Sequence, residues 1–277
     1  MSLFGSFSGR SSGAGVKGTP LVVAIHGGTY TSAYFDVPGH SLFDKARLLG
    51  IDIIAIDRPG YGHTPLLNSQ AMTLKGQATY IASELHRVWE SHGAERSGVV
   101  LLGHSIGAAI AAMIASSHEK LPLLGLAISG VGMRTPPEHR AMWGALPKID
   151  LVSLPDAMKD EVMFGPPGSY PSDMPAASHV ANTTAPRVEL VDIVGTWQDH
   201  VRDVLGSITV PVHYRQGEHD HLWIVGEGEV ADFKSALTAS PSVDAALVPG
   251  MGHCLDYHCY GPTLQEQQLQ FALRCST

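Results

Sequence analysis

The chain has 277 residues, 44% hydrophobic and 16% charged, with 18 Lys and Arg against 26 Asp and Glu for a formal charge of −8. That length suits a single α/β domain carrying an insertion, and a mildly acidic surface without clustered Lys or Arg excludes the electrostatic footprint of a nucleic-acid binder. No apolar run reaches membrane-spanning length, and the N-terminus lacks the basic start and apolar core of a signal peptide, so a cytoplasmic protein with no membrane partner is expected.

Residues 1–18 are rich in Ser and Gly and read as a flexible arm or as short edge strands without a function of their own. Residues 21–25 form a continuous apolar run suited to a strand covered on both faces. It ends in His26-Gly27-Gly28-Thr29, where glycine lets backbone approach a ligand. A helix is expected over 41–49 and a second buried strand over 51–56, stopping at the dense turn Asp57-Arg58-Pro59-Gly60-Tyr61-Gly62. From Thr73, an N-cap residue, the apolar positions Leu74, Ala78, Ile81, Ala82, Leu85, Val88 and Trp89 recur at helical spacing up to Gly93.

The apolar run 99–102 then leads into Gly103-His104-Ser105-Ile106-Gly107 and an alanine-rich stretch, which reads as strand, sharp turn and helix. The two glycines leave space where the chain reverses, so Ser105 can sit at the apex with its hydroxyl exposed near a helix N-terminus. Another buried strand is expected over 123–129, and strands joined by helices or long crossovers lie parallel. The fold class is therefore α/β, a mostly parallel central sheet flanked by helices. Between about Arg134 and Asp199 nine prolines interrupt short amphipathic pieces rich in apolar groups. This predicts a mainly helical and irregular cap, 134–199, overhanging the C-terminal ends of the strands, where open α/β sheets bind ligands. Strands over 210–215 and 245–248 and helices over 230–237 and 263–274 complete a division into an arm, 1–18, and one domain, 19–277.

A serine hydroxyl is a poor nucleophile at neutral pH and needs a base and a group that holds that base in one tautomer. Gly250-Met251-Gly252-His253 presents a histidine after a strand, and Gly217-Glu218-His219-Asp220 presents two carboxylates after another. Asp256 is expected to cap local structure instead. Cys254, Cys259 and Cys275 are too few for a disulfide framework; Cys254 and Cys259 are close enough to pair, with reduced packing thiols the expected state. The histidines lack a tight ligand pattern such as His-Glu-x-x-His, so no metal is expected, and there is neither a dinucleotide fingerprint nor a P-loop. Thr29, Trp143, Phe164, Trp197 and Trp223, with Tyr170, His221 and Leu222, either line an apolar pocket or pack in core and cap.

Five of these stretches, taken in order, resemble the α/β-hydrolase fold family from about residue 20 to the end: His26-Gly27-Gly28 its oxyanion loop, Asp57 to Gly62 its Asp-x-Pro-Gly-x-Gly turn, and Gly103 to Gly107 its nucleophile elbow. Gly217 to Asp220 is similar to its acid loop and Gly250 to His253 to its histidine loop. The departure is at the start, where there is room only for a short strand pair. The resemblance implies Ser105 as nucleophile, His253 as general acid and base, Asp220, at the fourth position of its loop, as orienter, and the N–H groups of Gly28 and Ile106 as oxyanion hole. It implies that His104 shapes the elbow and His26 supports the oxyanion loop. The implied activity is a cofactor-free serine hydrolase, a monomer or homodimer, cleaving a small-molecule ester, lactone or thioester through an acyl-enzyme. Carbon–carbon bond, amide or perhydrolase chemistry uses the same three residues, and the fold also serves non-catalytic small-ligand receptors.

Overall fold

The apolar runs become the strands of one eight-stranded sheet. A computed structural model describes residues 2–4, 6–13, 15–117 and 121–276; of the Ser/Gly-rich arm, residues 1, 5 and 14 lie outside the described residues. Strands β1 (Ser2–Phe4), β2 (Phe7–Ser11), β3 (Leu21–Ile25), β4 (Asp52–Ile56), β5 (Val99–His104) and β6 (Leu123–Ser129) are followed by a two-stranded ribbon, β7 (Leu151–Val152) and β8 (Ala185–Pro186), then β9 (Val212–Gly217) and β10 (Val243–Val248). The sheet order is β1-β2-β4-β3-β5-β6-β9-β10. From β4 to β10 all neighbours pair parallel, while β1 and β2 form the short antiparallel edge. The arm is thus edge strand, with Phe7 buried against the sheet.

Helices cover both faces. They are α1 (Leu42–Leu48), α2 (Leu74–His92), α3 (Ile106–Ser116), α4 (Pro137–Gly144), α5 (Asp156–Met163), α6 (Met174–Ser178), α7 (Arg187–Gly195), α8 (Trp197–Gly206), α9 (Glu227–Ala236) and α10 (Gly261–Arg274). Alternation along β3 shows the two layers: Leu21, Val23 and Ile25 enter the core shared with α2, α3, α8 and α9, while Val22 and Ala24 enter the core shared with α1 and α10. Thr73 caps α2 through its hydroxyl, as expected, and Gly93 ends it; the helix expected from Ser41 starts at Leu42, with the Ser41 hydroxyl as its cap. The strand expected from residue 210 starts at Val212, because Pro211 has no N–H to give a ladder.

Between β6 and β9 the chain leaves the sheet. The expected boundary at Asp199 falls inside α8, whose buried Trp197, Val201 and Leu205 pack it into the same core as α3 and α9. The irregular segment therefore gives way to the helical layer at α8. It is tied to the loop after β3 by Thr31 N–H to Ala181 O at 2.9 Å, Thr183 N–H to Thr29 O at 3.0 Å and a bridge between Tyr30 and Asn182. No helix among the described residues is long and apolar enough to cross a membrane.

Candidate active site

Ser105 stands between the end of β5 and the start of α3 with φ 55° and ψ −123°. A side chain at Gly103 would press on the Ala108 Cα at 2.6 Å, and one at Gly107 would collide with the carbonyls of Ile25 and His26, so only glycine lets α3 cross this close to the strands. Backbone strain is held where the surroundings over-determine it. Among the described residues the only non-glycine positions with positive φ are Ser105 and Thr29, at 63°.

The loops after β9 and β10 bring the other two side chains to Ser105. His253 Nε2 lies 2.8 Å from Ser105 Oγ, and His253 Nδ1 lies 2.8 Å from Asp220 Oδ2. Asp220 also accepts from Gln216 Nε2 at 2.7 Å and from Leu222 N–H at 2.9 Å. An ionised carboxylate only accepts, so it holds the imidazole proton on Nδ1 and leaves Nε2 to accept from the serine hydroxyl. Beneath the ring, His104 stacks on Tyr34 at 4.6 Å and sits 5.0 Å from His253, and burial keeps His104 well below the ordinary histidine range, hence neutral. Glu218 accepts from Gly250 N–H and sits beside His219, so the second carboxylate of that loop takes no part in the Ser105 cluster. Asp256 is buried, accepting from Tyr34 Oη at 2.9 Å and from Gln265. Cys254, Cys259 and Cys275 are free thiols.

Gly27 and Gly28 run past the serine; a Cβ on Gly27 would lie 2.9 Å from that of Ser105, and one on Gly28 would lie 3.0 Å from Ile106 Cδ1. Ile106 opens α3, where N–H groups have no intrahelical acceptor. Ser105 thus stands at the N-terminus of α3, the positive end of a helix and suited to a developing anion.

An apolar cleft opens beside Ser105. Of the residues named from the sequence for a pocket, Thr29, Trp143, Leu222 and Trp223 line it, together with Gly28. Phe164 and Trp197 do not. Phe164 is packed against Tyr170, Tyr257 and His258, and Trp197 is fully buried with its indole N–H on Gly132 O at 2.8 Å. Sequence reading missed His139, Met163, Leu190, Ile193 and Val194 in the walls. Their segment has too many proline breaks for a period to show which face turns inward. Thr29 Oγ1, His139 Nδ1 and Trp143 Nε1, all on lining residues, are buried without a hydrogen-bond partner. A second omission was signalled: Arg58, set in the Asp57 to Gly62 turn, is wholly buried on Glu189 of α7. An arginine beside a glycine turn, with an acidic residue in the insertion, was the cue.

The fold is widespread. A lipase-esterase related protein from Clostridium acetobutylicum superposes with a TM-score of 0.70 at 18% identity, covering 95% of this chain and 99% of that one. A thermophilic esterase from Thermogutta terrifontis gives 0.69 at 16% identity, over 98% and 94%. In sequence, the protein phosphatase methylesterase 1 of Bos taurus is 28% identical over 112 residues, which are 40% of this chain and only 28% of the relative's length. The model of the alpha/beta hydrolase family matches residues 22–259. That match runs from β3 to beyond His253, most of the chain, and the chain belongs to the alpha/beta hydrolase family of enzymes.

Proposed function

We propose that the protein is a serine hydrolase that cleaves a small-molecule carboxylic ester, lactone or thioester through an acyl-enzyme, with esters and lactones the favoured substrates. The observation that carries this reading is the unbroken relay Ser105–His253–Asp220, two contacts of 2.8 Å at the floor of an apolar cleft. The esterase, lipase-esterase and methylesterase names of the similar proteins support ester chemistry.

In this reading Ser105 Oγ attacks the substrate carbonyl while its proton passes to His253 Nε2, and Asp220 stabilises the imidazolium. The carbonyl oxygen becomes an anion between Gly28 N–H and Ile106 N–H, donors whose loss typically costs about 10²–10³ in rate. Collapse breaks the acyl–oxygen or acyl–sulfur bond, and His253 returns the proton to the departing alcohol or thiol. Water, deprotonated by His253, then attacks the acyl-enzyme, releasing the acid and restoring Ser105. The segment 134–199 acts as the roof of this cleft, a reading supported by Trp143 from α4 and Met163 from α5 in its lining.

A fluorophosphonate probe is expected to label the wild type and not Ser105→Ala, and p-nitrophenyl esters and lactones to be turned over by the wild type alone. Equal labelling of both proteins would overturn the assignment. Labelling with no turnover of any ester, lactone or thioester would shift it to amide, carbon–carbon or perhydrolase chemistry.

A further inference from the structure

The peptide joining Gly27 to Gly28 carries the N–H assigned above to the oxyanion, and its other end is gripped by two donors. Gly27 O accepts from His26 Nδ1 at 2.7 Å and from Arg58 Nη2 at 3.1 Å. The His26 tautomer is fixed from the far side of the ring: Arg58 backbone N–H donates to His26 Nε2 at 3.1 Å, so the ring proton sits on Nδ1 and goes to Gly27 O. Burial, and then the Arg58 guanidinium, push His26 down to about 3, which keeps that tautomer neutral across the working pH range.

Arg58 uses all five guanidinium N–H groups. Nε donates to His26 O at 2.9 Å, Nη1 to Gln77 Oε1 at 2.8 Å and Glu189 Oε2 at 2.6 Å, and Nη2 to Gly27 O and to Glu189 Oε1 at 3.0 Å. The next peptide is held by the same carboxylate at one remove. Thr29 N–H donates to the Tyr61 hydroxyl at 3.2 Å, and that hydroxyl donates to Glu189 Oε1. Thr29 N–H is therefore committed, whereas Gly28 N–H has no protein acceptor among the described residues. Gln77 Nε2 adds a further bond to Glu189 at 2.7 Å, and Arg58, Gln77 and Glu189 are fully excluded from solvent.

We propose that Glu189, on α7 of the segment between β6 and β9, is a positioning residue for the oxyanion loop, acting through Arg58 and Tyr61 on the two peptides that flank Gly28. The clamp does two things. It prevents the Gly27–Gly28 peptide from turning its N–H away from Ser105. It also polarises that peptide, since hydrogen bonds accepted at a carbonyl strengthen the N–H at the other end of the amide. The roof segment thereby reaches into the chemistry of the core, and the inference rests on the serine-hydrolase reading of Ser105.

A buried ion pair with a purely structural role would cost folded protein when broken, but not rate per folded molecule, and replacing both partners by apolar groups is often tolerated. Three variants separate these cases: Glu189→Gln, the double replacement Arg58→Met with Glu189→Leu, which strands no charge, and Tyr61→Phe, which removes one hydroxyl. For each, kcat and KM on p-nitrophenyl acetate are measured per folded enzyme, together with the inhibition constant of a boronic acid whose tetrahedral serine adduct places an oxygen in the hole. The expected result is a loss of about 10² in kcat for the first two and about 10 for Tyr61→Phe, with KM within about threefold and boronate affinity weakened in step with kcat. Folded variants with wild-type kcat and boronate affinity, or a change confined to KM, would overturn the proposal, and Tyr61→Phe keeps that outcome reachable if the charge variants do not fold. Failure of the underlying reading looks different: the wild type itself would then give no Ser105-dependent turnover.

Discussion

Asp220 shows how much one side chain is asked to do. Its two oxygens accept three bonds, from His253, Gln216 and Leu222, and only an acceptor facing Nδ1 leaves Nε2 free to take the serine proton. Asp220→Asn can present an N–H to His253 and stabilise the wrong tautomer. The expected outcome is a fall in kcat of about 10⁴, with KM and the thermal midpoint near wild type; a fall below tenfold would mean that another group orients the imidazole. The grouping of these three side chains was legible because each follows a strand in a glycine-rich turn. Cysteine reactivity is decided as locally. Burial pushes the Cys254 thiol up to about 12, whereas Cys259 is exposed. Iodoacetamide at pH 8 is expected to modify Cys259 in the native protein, spare Cys254 and leave turnover unchanged; inactivation in step with Cys254 modification would contradict this.

The elements legible in the sequence were those whose period and caps agree: β3, β5 and β6 as unbroken apolar runs, α1 behind Ser41, and α2 between Thr73 and Gly93. The insertion was legible as an insertion and not as a set of faces. Its aromatic residues look alike in sequence, but α4 has no buried residue and offers Trp143 to the cleft, while Phe164, at the end of α5, is locked between Tyr170, Tyr257 and His258. Sequence alone leaves both open between pocket and packing. The structure separates them. Trp143→Ala is expected to change the ratio of kcat/KM between short and long acyl esters and to cost less stability than Phe164→Ala, since Trp143 is only partly buried at the edge of the core. Phe164→Ala should cost about 3–5 kcal/mol and leave that ratio alone. Urea unfolding and a p-nitrophenyl ester series on both variants check this, and an unchanged ratio in Trp143→Ala would remove α4 from the roof.

The whole molecule buries an unusual set of imidazoles, and that sets its response to acid. Burial and the Arg58 guanidinium push His26 down to about 3, burial and Arg215 push His213 down to about 4, burial pushes His258 down to about 4, and burial holds His104 well below the ordinary range. All four folded-state values lie below the value near 6.5 that the unfolded chain regains. The native state is therefore favoured by these groups above pH 6.5, and this advantage is lost as pH falls through 6.5 toward 4, where the unfolded chain takes up protons that the folded one refuses. Asp256, whose carboxyl burial raises, works in the opposite sense by at most one proton. Urea titrations at pH 6.5, 6.0, 5.5 and 5.0 are expected to show unfolding coupled to the uptake of about two to four protons near pH 5, a slope of roughly 3–5 kcal/mol per pH unit. His213 packs on Phe271 away from the Ser105 cluster, so His213→Leu removes one titrating group and leaves the site intact. That variant should lower the slope by about 1.4 kcal/mol per pH unit. Stability that stays flat from pH 6.5 to 5.0 in the wild type would mean that these imidazoles take up protons in the folded protein.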